Sequence, residues 1–156
     1  MRLTTLCFLH TATDILLALK KVRFGAGRMN GVGGKVNGGE TVEQAIIREA
    51  QEEIGVTINE EALEKVAILH FTFDNKPEWN QECHVFFTSE WEGEPTESEE
   101  MKPEWYSKDA IPFDRMWPDD IHWLPKVLNG ERVRAHFSFA EGDKMKEDFT
   151  IEPLVE

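Results

Sequence analysis

Cysteine is scarce: only Cys7 and Cys83 occur among 156 residues. Two thiols without ligand-like spacing exclude a zinc module and a disulfide framework. They predict free thiols in a reducing compartment, which we read as the cytoplasm. No apolar run approaches the roughly 18 residues that a membrane-spanning helix needs, so no membrane partner is expected. The N-terminal stretch has one arginine and is interrupted by Thr4, Thr5, His10 and Asp14, a pattern that predicts no signal peptide. Positive charge is also in short supply. Seventeen Lys and Arg face thirty Asp and Glu, for a net charge of −13. That balance disfavours any partner bound through a long phosphate backbone, and no nucleic-acid polymer is expected. No internal repeat or long linker appears, so residues 1–156 read as a single domain. The five histidines, His10, His70, His84, His122 and His136, show no paired metal spacing.

What is present points to a packed fold. An apolar fraction of 40%, ten Phe and five Trp suffice for a real core. Charge is unevenly placed: residues 1–39 hold six bases against the single acid Asp14, whereas residues 40–156 hold eleven bases against 29 acids. A basic N-terminal quarter beside an acidic remainder suits a small anion bridged to carboxylates by a metal, or simply a solubilising surface. Strand-like runs fall at 3–10, 15–22, 66–73, 83–89, 102–107, 133–139 and 148–151, with hairpin turns at 11–14 and 141–144. One helix is predicted from Val42 to Ile54, with Thr41 and Gln44 in capping-box spacing and Gly55 at its C-terminal end. A second begins near 118–120, contains Pro125 and ends at 129–130. Strands mixed with two helices indicate an α/β sandwich on one core, without settling the chain order of its layers.

The sharpest physical signal is an acidic face on the first helix. At 100° per residue from Val42, Glu49, Glu52 and Glu53 project near 340°, 280° and 20°, within roughly 100° of arc. Ile46, Ala50, Ile54 and Ile47 lie near 40°, 80°, 120° and 140°, so the acids begin where the apolar stripe ends. An ordinary solvated face places a base four residues after an acid, but Glu49 is followed at that distance by Glu53. All three acids also sit toward the C-terminus, where the helix dipole disfavours anions by roughly 0.3–1 kcal/mol each. Arg48 precedes Glu52, the weaker orientation for a helical ion pair, so local preference is breached three times on one turn; such breaches mark functional sites, and a hard divalent cation would reverse these penalties.

Flanking residues complete a motif. Gly34 is followed after five residues by Glu40, then after seven by Arg48-Glu49-Ala50-Gln51-Glu52-Glu53-Ile54-Gly55-Val56. This resembles the full Nudix box, and the resemblance implies a Nudix α/β/α sandwich with a mixed central sheet and a metal-dependent pyrophosphohydrolase. It implies Mg²⁺, with Mn²⁺ as a substitute, at Glu49, Glu52 and Glu53, with the Gly33 carbonyl and Glu100 nearby. Glu40 and Arg48 would hold the helix and its acids in place. Glu53 is the first choice for the carboxylate that takes the attacking water's proton, with Glu49 and Glu100 as alternatives.

Three further stretches, Lys20–Gly34 (KKVRFGAGRMNGVGG), Glu97–Trp105 (ESEEMKPEW) and Pro112–Pro125 (PFDRMWPDDIHWLP), resemble the animal MutT homologues that hydrolyse oxidised purine nucleoside triphosphates. The resemblance implies that Trp117, beside Pro118, stacks on the purine while Asp119 and Asp120 read one edge and Asn30 the other. Thr5, Lys20, Val32, Gly33, Gly34 and Lys35 would complete the pocket floor and phosphate path. Adjacent buried carboxylates cannot both ionise cheaply, so one of Asp119 and Asp120 is expected to hold a proton. Taken alone, Trp-Pro-Asp-Asp also reads as an N-capped helix start with a packed Trp. Trp123, Phe71 and Phe73 read as core, and Met29 as a change in packing. The animal enzymes carry Trp and Phe where this chain has Met29 and Val32. Other diphosphate substrates (a methylated purine triphosphate, a dinucleoside polyphosphate, a nucleotide sugar) remain open, as does a nucleotide-binding sensor. A monomer acting on a small-molecule nucleotide is expected.

Overall fold

The computed structural model describes residues 1–155. Eleven strands and two α-helices are described: β1 (Arg2–Leu9), β2 (Asp14–Lys20), β3 (Met29–Asn30), α1 (Val42–Ile54), β4 (Thr57–Ile58), β5 (Glu64–Phe73), β6 (Gln81–Thr88), β7 (Trp91–Glu92), β8 (Met101–Ser107), α2 (Asp120–Leu128), β9 (Val133–Ala140), β10 (Lys144–Met145) and β11 (Thr150–Pro153). The main sheet runs β1-β6-β5-β9-β10, with β11 also on β9. β1 pairs with β6 and β5 with β9 in parallel, while β5 and β6 are antiparallel, so the sheet is mixed. A three-stranded sheet, β3-β2-β8, packs beside it.

Strand alternation sends side chains into two separate cores. From β1, Leu6 and Phe8 enter a cluster with Leu69, Trp123, Leu124, Val127 and Phe137, the side on which α2 packs. Cys7 and Leu9 enter a second cluster with Ile46, Ala50 and Ile54 of α1. The sheet therefore lies between the two helices, an α/β/α sandwich. No helix among the described residues is long and apolar enough to cross a membrane. Both cysteines are buried and free.

α1 spans the residues its periodicity predicts. Thr41 accepts from the Gln44 amide, Gln44 returns the contact to the Thr41 amide, and Gly55 closes the helix at φ 70°. The second helix continues past Pro125 to Leu128. Of the two predicted hairpins, β9 and β10 form one through residues 141–143. The other is not a hairpin. Only His10 and Ile15 bridge across the turn at 11–14, because both edges of β1 are taken elsewhere. One edge carries β6, and the other carries the segment around Gly31–Val36, with Val32 and Cys7 exchanging backbone hydrogen bonds at 2.6 and 2.9 Å.

Candidate active site

That segment requires glycine because it lies against neighbouring backbone and α1. A Cβ on Gly33 would stand 2.1 Å from the Thr5 carbonyl oxygen, and one on Gly34 2.8 Å from Glu49 Oε1. No side chain fits at Gly33 without moving a strand. The close approach brings the Gly33 amide to Glu53 Oε1, to which it donates at 2.9 Å.

Burial of the three helix acids follows their angular distance from the apolar stripe. The Glu53 side chain is 1% exposed, Glu49 15% and Glu52 58%. Burial pushes the Glu53 carboxyl up to about 8; the Gly33 amide opposes this and the neighbouring Glu49 charge adds to it. Its Oε2 has no hydrogen-bond partner among the described residues, and Lys20 Nζ lies 4.0 Å away. Burial also raises Glu49, against the hydrogen bond from Arg48. Arg48 grips Glu40 with two nitrogens, Nε at 2.7 Å and Nη2 at 3.0 Å, and reaches Glu49 Oε1 at 2.9 Å and the Lys35 carbonyl at 3.1 Å. This bidentate pair ties the loop before α1 to its acidic face. Glu100 accepts from Arg23 Nη1 at 2.8 Å, a bond that holds its carboxyl below the usual range.

Glu49, Glu52, Glu53 and Glu100 thus share one wall of a cavity of about 500 Å³. They do not converge on a point: among the described residues no three Asp, Glu, His or Cys side chains are placed to hold a metal ion as they stand. Arg48 and Arg23 draw Glu49 and Glu100 aside. The donor set still suits a hard dication, being carboxylate oxygen throughout, with Glu53 Oε2 buried and unpartnered. At Gly33 it is the amide, not the carbonyl, whose partner the structure shows.

The cavity continues from these acids to the main sheet and α2. Asp119 and Asp120 line it while only 2% and 3% exposed. Asp119 stands at the N-cap position of α2, yet its side chain makes no capping bond. It accepts instead from Trp123 Nε1 at 2.8 Å, which excludes the simple helix-start explanation. Burial raises both carboxyls, Asp119 to about 6 and Asp120 well beyond its ordinary value, the latter also through the Asp119 charge and its hydrogen bond to Asp119. Two buried carboxyls this close, both pushed upward, favour holding one proton between them. Trp117 is half-buried at the cavity, with the Arg28 guanidinium 4.0 Å over its ring and Phe24 edge-on at 5.2 Å. Arg28 also pairs with Asp143 at 3.1 Å.

Thr5, Lys20, Asn30, Gly34 and Lys35 line the same cavity, as do Phe71, Phe73 and Trp123. Trp123, expected only in the core, is fully buried and lines the cavity as well. Val32 does not reach the cavity lining. It is 3% exposed in the α1-side cluster, since its backbone pairing with Cys7 turns its side chain toward Ile46 and Ala50. Pro118 stays off the lining too, and Met29 is fully buried. Sequence reasoning missed Thr4, Leu6, Phe24, Arg28, Leu69, Gln81 and Phe139, all of which line the cavity. Period-two alternation hinted that Leu6 and Leu69 share a face, but nothing local placed their strands together.

A family model described as the NUDIX domain matches residues 1–127. The chain belongs to the Nudix hydrolase family. It is 43% identical over 146 residues to the oxidized purine nucleoside triphosphate hydrolase of Danio rerio, covering 94% of this chain and 92% of that protein. The Mus musculus protein of the same name is 44% identical over 142 residues, covering 91% and 89%. Among solved structures, the MutT protein from Bacillus halodurans superposes with a TM-score of 0.84 at 25% identity, covering 99% of this chain and all of that one. This Nudix chain therefore shares its architecture with MutT over nearly its full length.

Proposed function

We propose that this Nudix hydrolase converts oxidised purine nucleoside triphosphates, such as 8-oxo-dGTP and 2-hydroxy-dATP, to the monophosphate and pyrophosphate, removing them from the nucleotide pool. One observation carries the reading: a single cavity joins the glutamate face of α1 to an aromatic slot floored by a buried Asp pair sharing a proton. The named activity of the fish and mouse relatives supports it.

Glu49, Glu52, Glu53, Glu100 and the Gly33 carbonyl would hold Mg²⁺, or Mn²⁺ in its place, which neutralises charge on phosphate oxygens and acidifies a bound water. Arg48, held by Glu40, tethers Glu49 in the absence of the dication and would release its carboxylate to it. Glu53, whose Oε2 is buried and unpartnered, takes the proton as water adds to phosphorus and the pyrophosphate link breaks; a dication beside it would keep its carboxyl ionised for that task. Lys20 and Lys35 meet the phosphates. Trp117 supplies a stacking face worth about 1–3 kcal/mol with little choice among bases. Choice comes from Asp119 and Asp120, one donor and one acceptor between them, with Asn30 on the other edge, because a base that mismatches them leaves buried polar groups unpaired. The two buried thiols accord with a cytoplasmic enzyme, which we take to work as a monomer.

Pyrophosphate release in Mg²⁺ across normal, 8-oxo, 2-hydroxy and methylated purine triphosphates tests this. The oxidised purines should show the highest kcat/KM. Glu53→Gln should lower kcat by roughly 10²–10⁴-fold. Lower efficiency on every oxidised purine than on its normal parent would overturn the substrate; full activity in Glu53→Gln would overturn the mechanism.

A further inference from the structure

One stretch of the cavity wall breaks its aromatic character. The parallel register of β1 and β6 sets Arg2 beside Gln81 and Thr4 beside Cys83, and Thr4, Gln81 and Cys83 all face the cavity. Thr4 Oγ1 donates to Gln81 Oε1 at 3.0 Å, and Gln81 Nε2 donates to the Trp79 carbonyl at 3.0 Å. The Thr4 hydroxyl also meets the Cys83 thiol, which in turn feels the charges of Asp119 and Asp120. A short polar line from Thr4 to Gln81 therefore interrupts the sheet floor, while Leu69, Phe71 and Phe73 line the cavity beside it.

A core face has no use for this line. The Thr4 side chain lies on a residue only 7% exposed, where an aliphatic group would avoid the cost of burying a hydroxyl. Nor do these bonds exhaust it. A glutamine side chain has two amide hydrogens and a carbonyl with two lone pairs. Thr4 and Trp79 occupy one of each. A donor and an acceptor are left side by side on Gln81, on a wall that neither the glutamates nor the Asp pair serves.

We propose that Thr4 and Gln81 are specificity-determining residues, a second polar contact that takes a neutral oxygen group of the nucleotide. This rests on the reading of the cavity as a nucleotide site. The oxygen has two sources, an oxo or hydroxyl substituent on the purine or a hydroxyl on the sugar, and both offer the same hydrogen-bond chemistry. Thr4 orients the Gln81 amide, and Gln81 makes the contact.

The test uses Thr4→Val, Gln81→Met and their combination, with Thr4→Ser as the variant that keeps the hydroxyl. For each, kcat/KM for pyrophosphate release is measured on 8-oxo-dGTP against dGTP, on 2-hydroxy-dATP against dATP, and on each deoxynucleotide against its ribonucleotide. Ratios within one preparation cancel any loss of folded enzyme. The combined variant should shift at least one ratio by about tenfold, the scale of a hydrogen bond lost in a dry site; Thr4→Val should show part of that shift, and Thr4→Ser should stay close to the unsubstituted chain. A shift in the oxidised-to-normal ratio assigns the contact to the base; a shift in the deoxy-to-ribo ratio assigns it to the sugar. Ratios all within twofold of the unsubstituted chain would overturn the proposal. If the unsubstituted chain itself released no pyrophosphate from any purine triphosphate, the nucleotide reading would fall first and this contact with it, a failure visible without any variant.

Discussion

Asp119 and Asp120 are adjacent acids with unequal tasks, and the inequality arises from their partners. Asp119 accepts the Trp123 indole N–H at 2.8 Å, whereas Asp120 Oδ2 is buried with no hydrogen-bond partner among the described residues. Both carboxyls titrate higher in the folded chain than in the unfolded one, so the folded state binds more protons across that interval. The stability that Asp119 contributes is therefore complete below the unfolded value of 3.8 and drains as pH rises through about 6, where Asp119 ionises. The melting temperature of the free protein should fall more steeply between pH 4 and 6 than that of Asp119→Asn. Parallel melting profiles would mean that Asp119 does not titrate there. Adjacency in sequence suggested a shared proton; the Trp123 bond, which gives Asp119 a donor that Asp120 Oδ2 lacks, came only with the fold.

At the scale of elements, α1 carries the burden of an acidic C-terminal turn, and its two ends show how that is met. Thr41 and Gln44 close the N-terminus reciprocally. At the other end Ser98 Oγ donates to the Glu53 carbonyl at 2.7 Å, and the Thr96 amide to the Ile54 carbonyl at 2.9 Å, so the loop before β8 satisfies carbonyls the helix leaves open. The same loop delivers Glu100 to the cavity. Thr41→Ala should cost about 1 kcal/mol, a drop in Tm of roughly 2–4 °C for a chain of this size, with kcat/KM on the preferred substrate held within about twofold. An unchanged Tm would show that the box contributes nothing. The helix was legible to the residue because cap, stripe and terminal glycine all act within one or two turns. The turn at 11–14 was legible as a turn, but not its outcome: whether β1 and β2 pair depends on β6 and the glycine segment, which arrive from elsewhere in the chain.

For the whole molecule, a net charge of −13 is a standing self-repulsion, partly relieved where Arg48 and Arg23 lean over the glutamates. Screening should therefore help the free protein. Its Tm at pH 7 should rise as NaCl goes from near zero to about 0.15 M, where the Debye length shortens to about 8 Å. A falling Tm over that range would mean that the ion pairs outweigh the repulsion.

Local chemistry alone determined much of this protein: α1 and its caps, the order of its acids by burial, the glycine segment before it, and the family to which the chain belongs. Each depends on residues a few positions apart, whose geometry a helix or tight segment sets by itself. The tertiary structure decided the rest. Val32 turned to the α1 core rather than the cavity, Arg28 came to lie over Trp117, and Thr4 met Gln81 across 77 positions of sequence. Those meetings are set by strand register, and register is chosen by the burial of whole faces, which no short stretch of sequence contains.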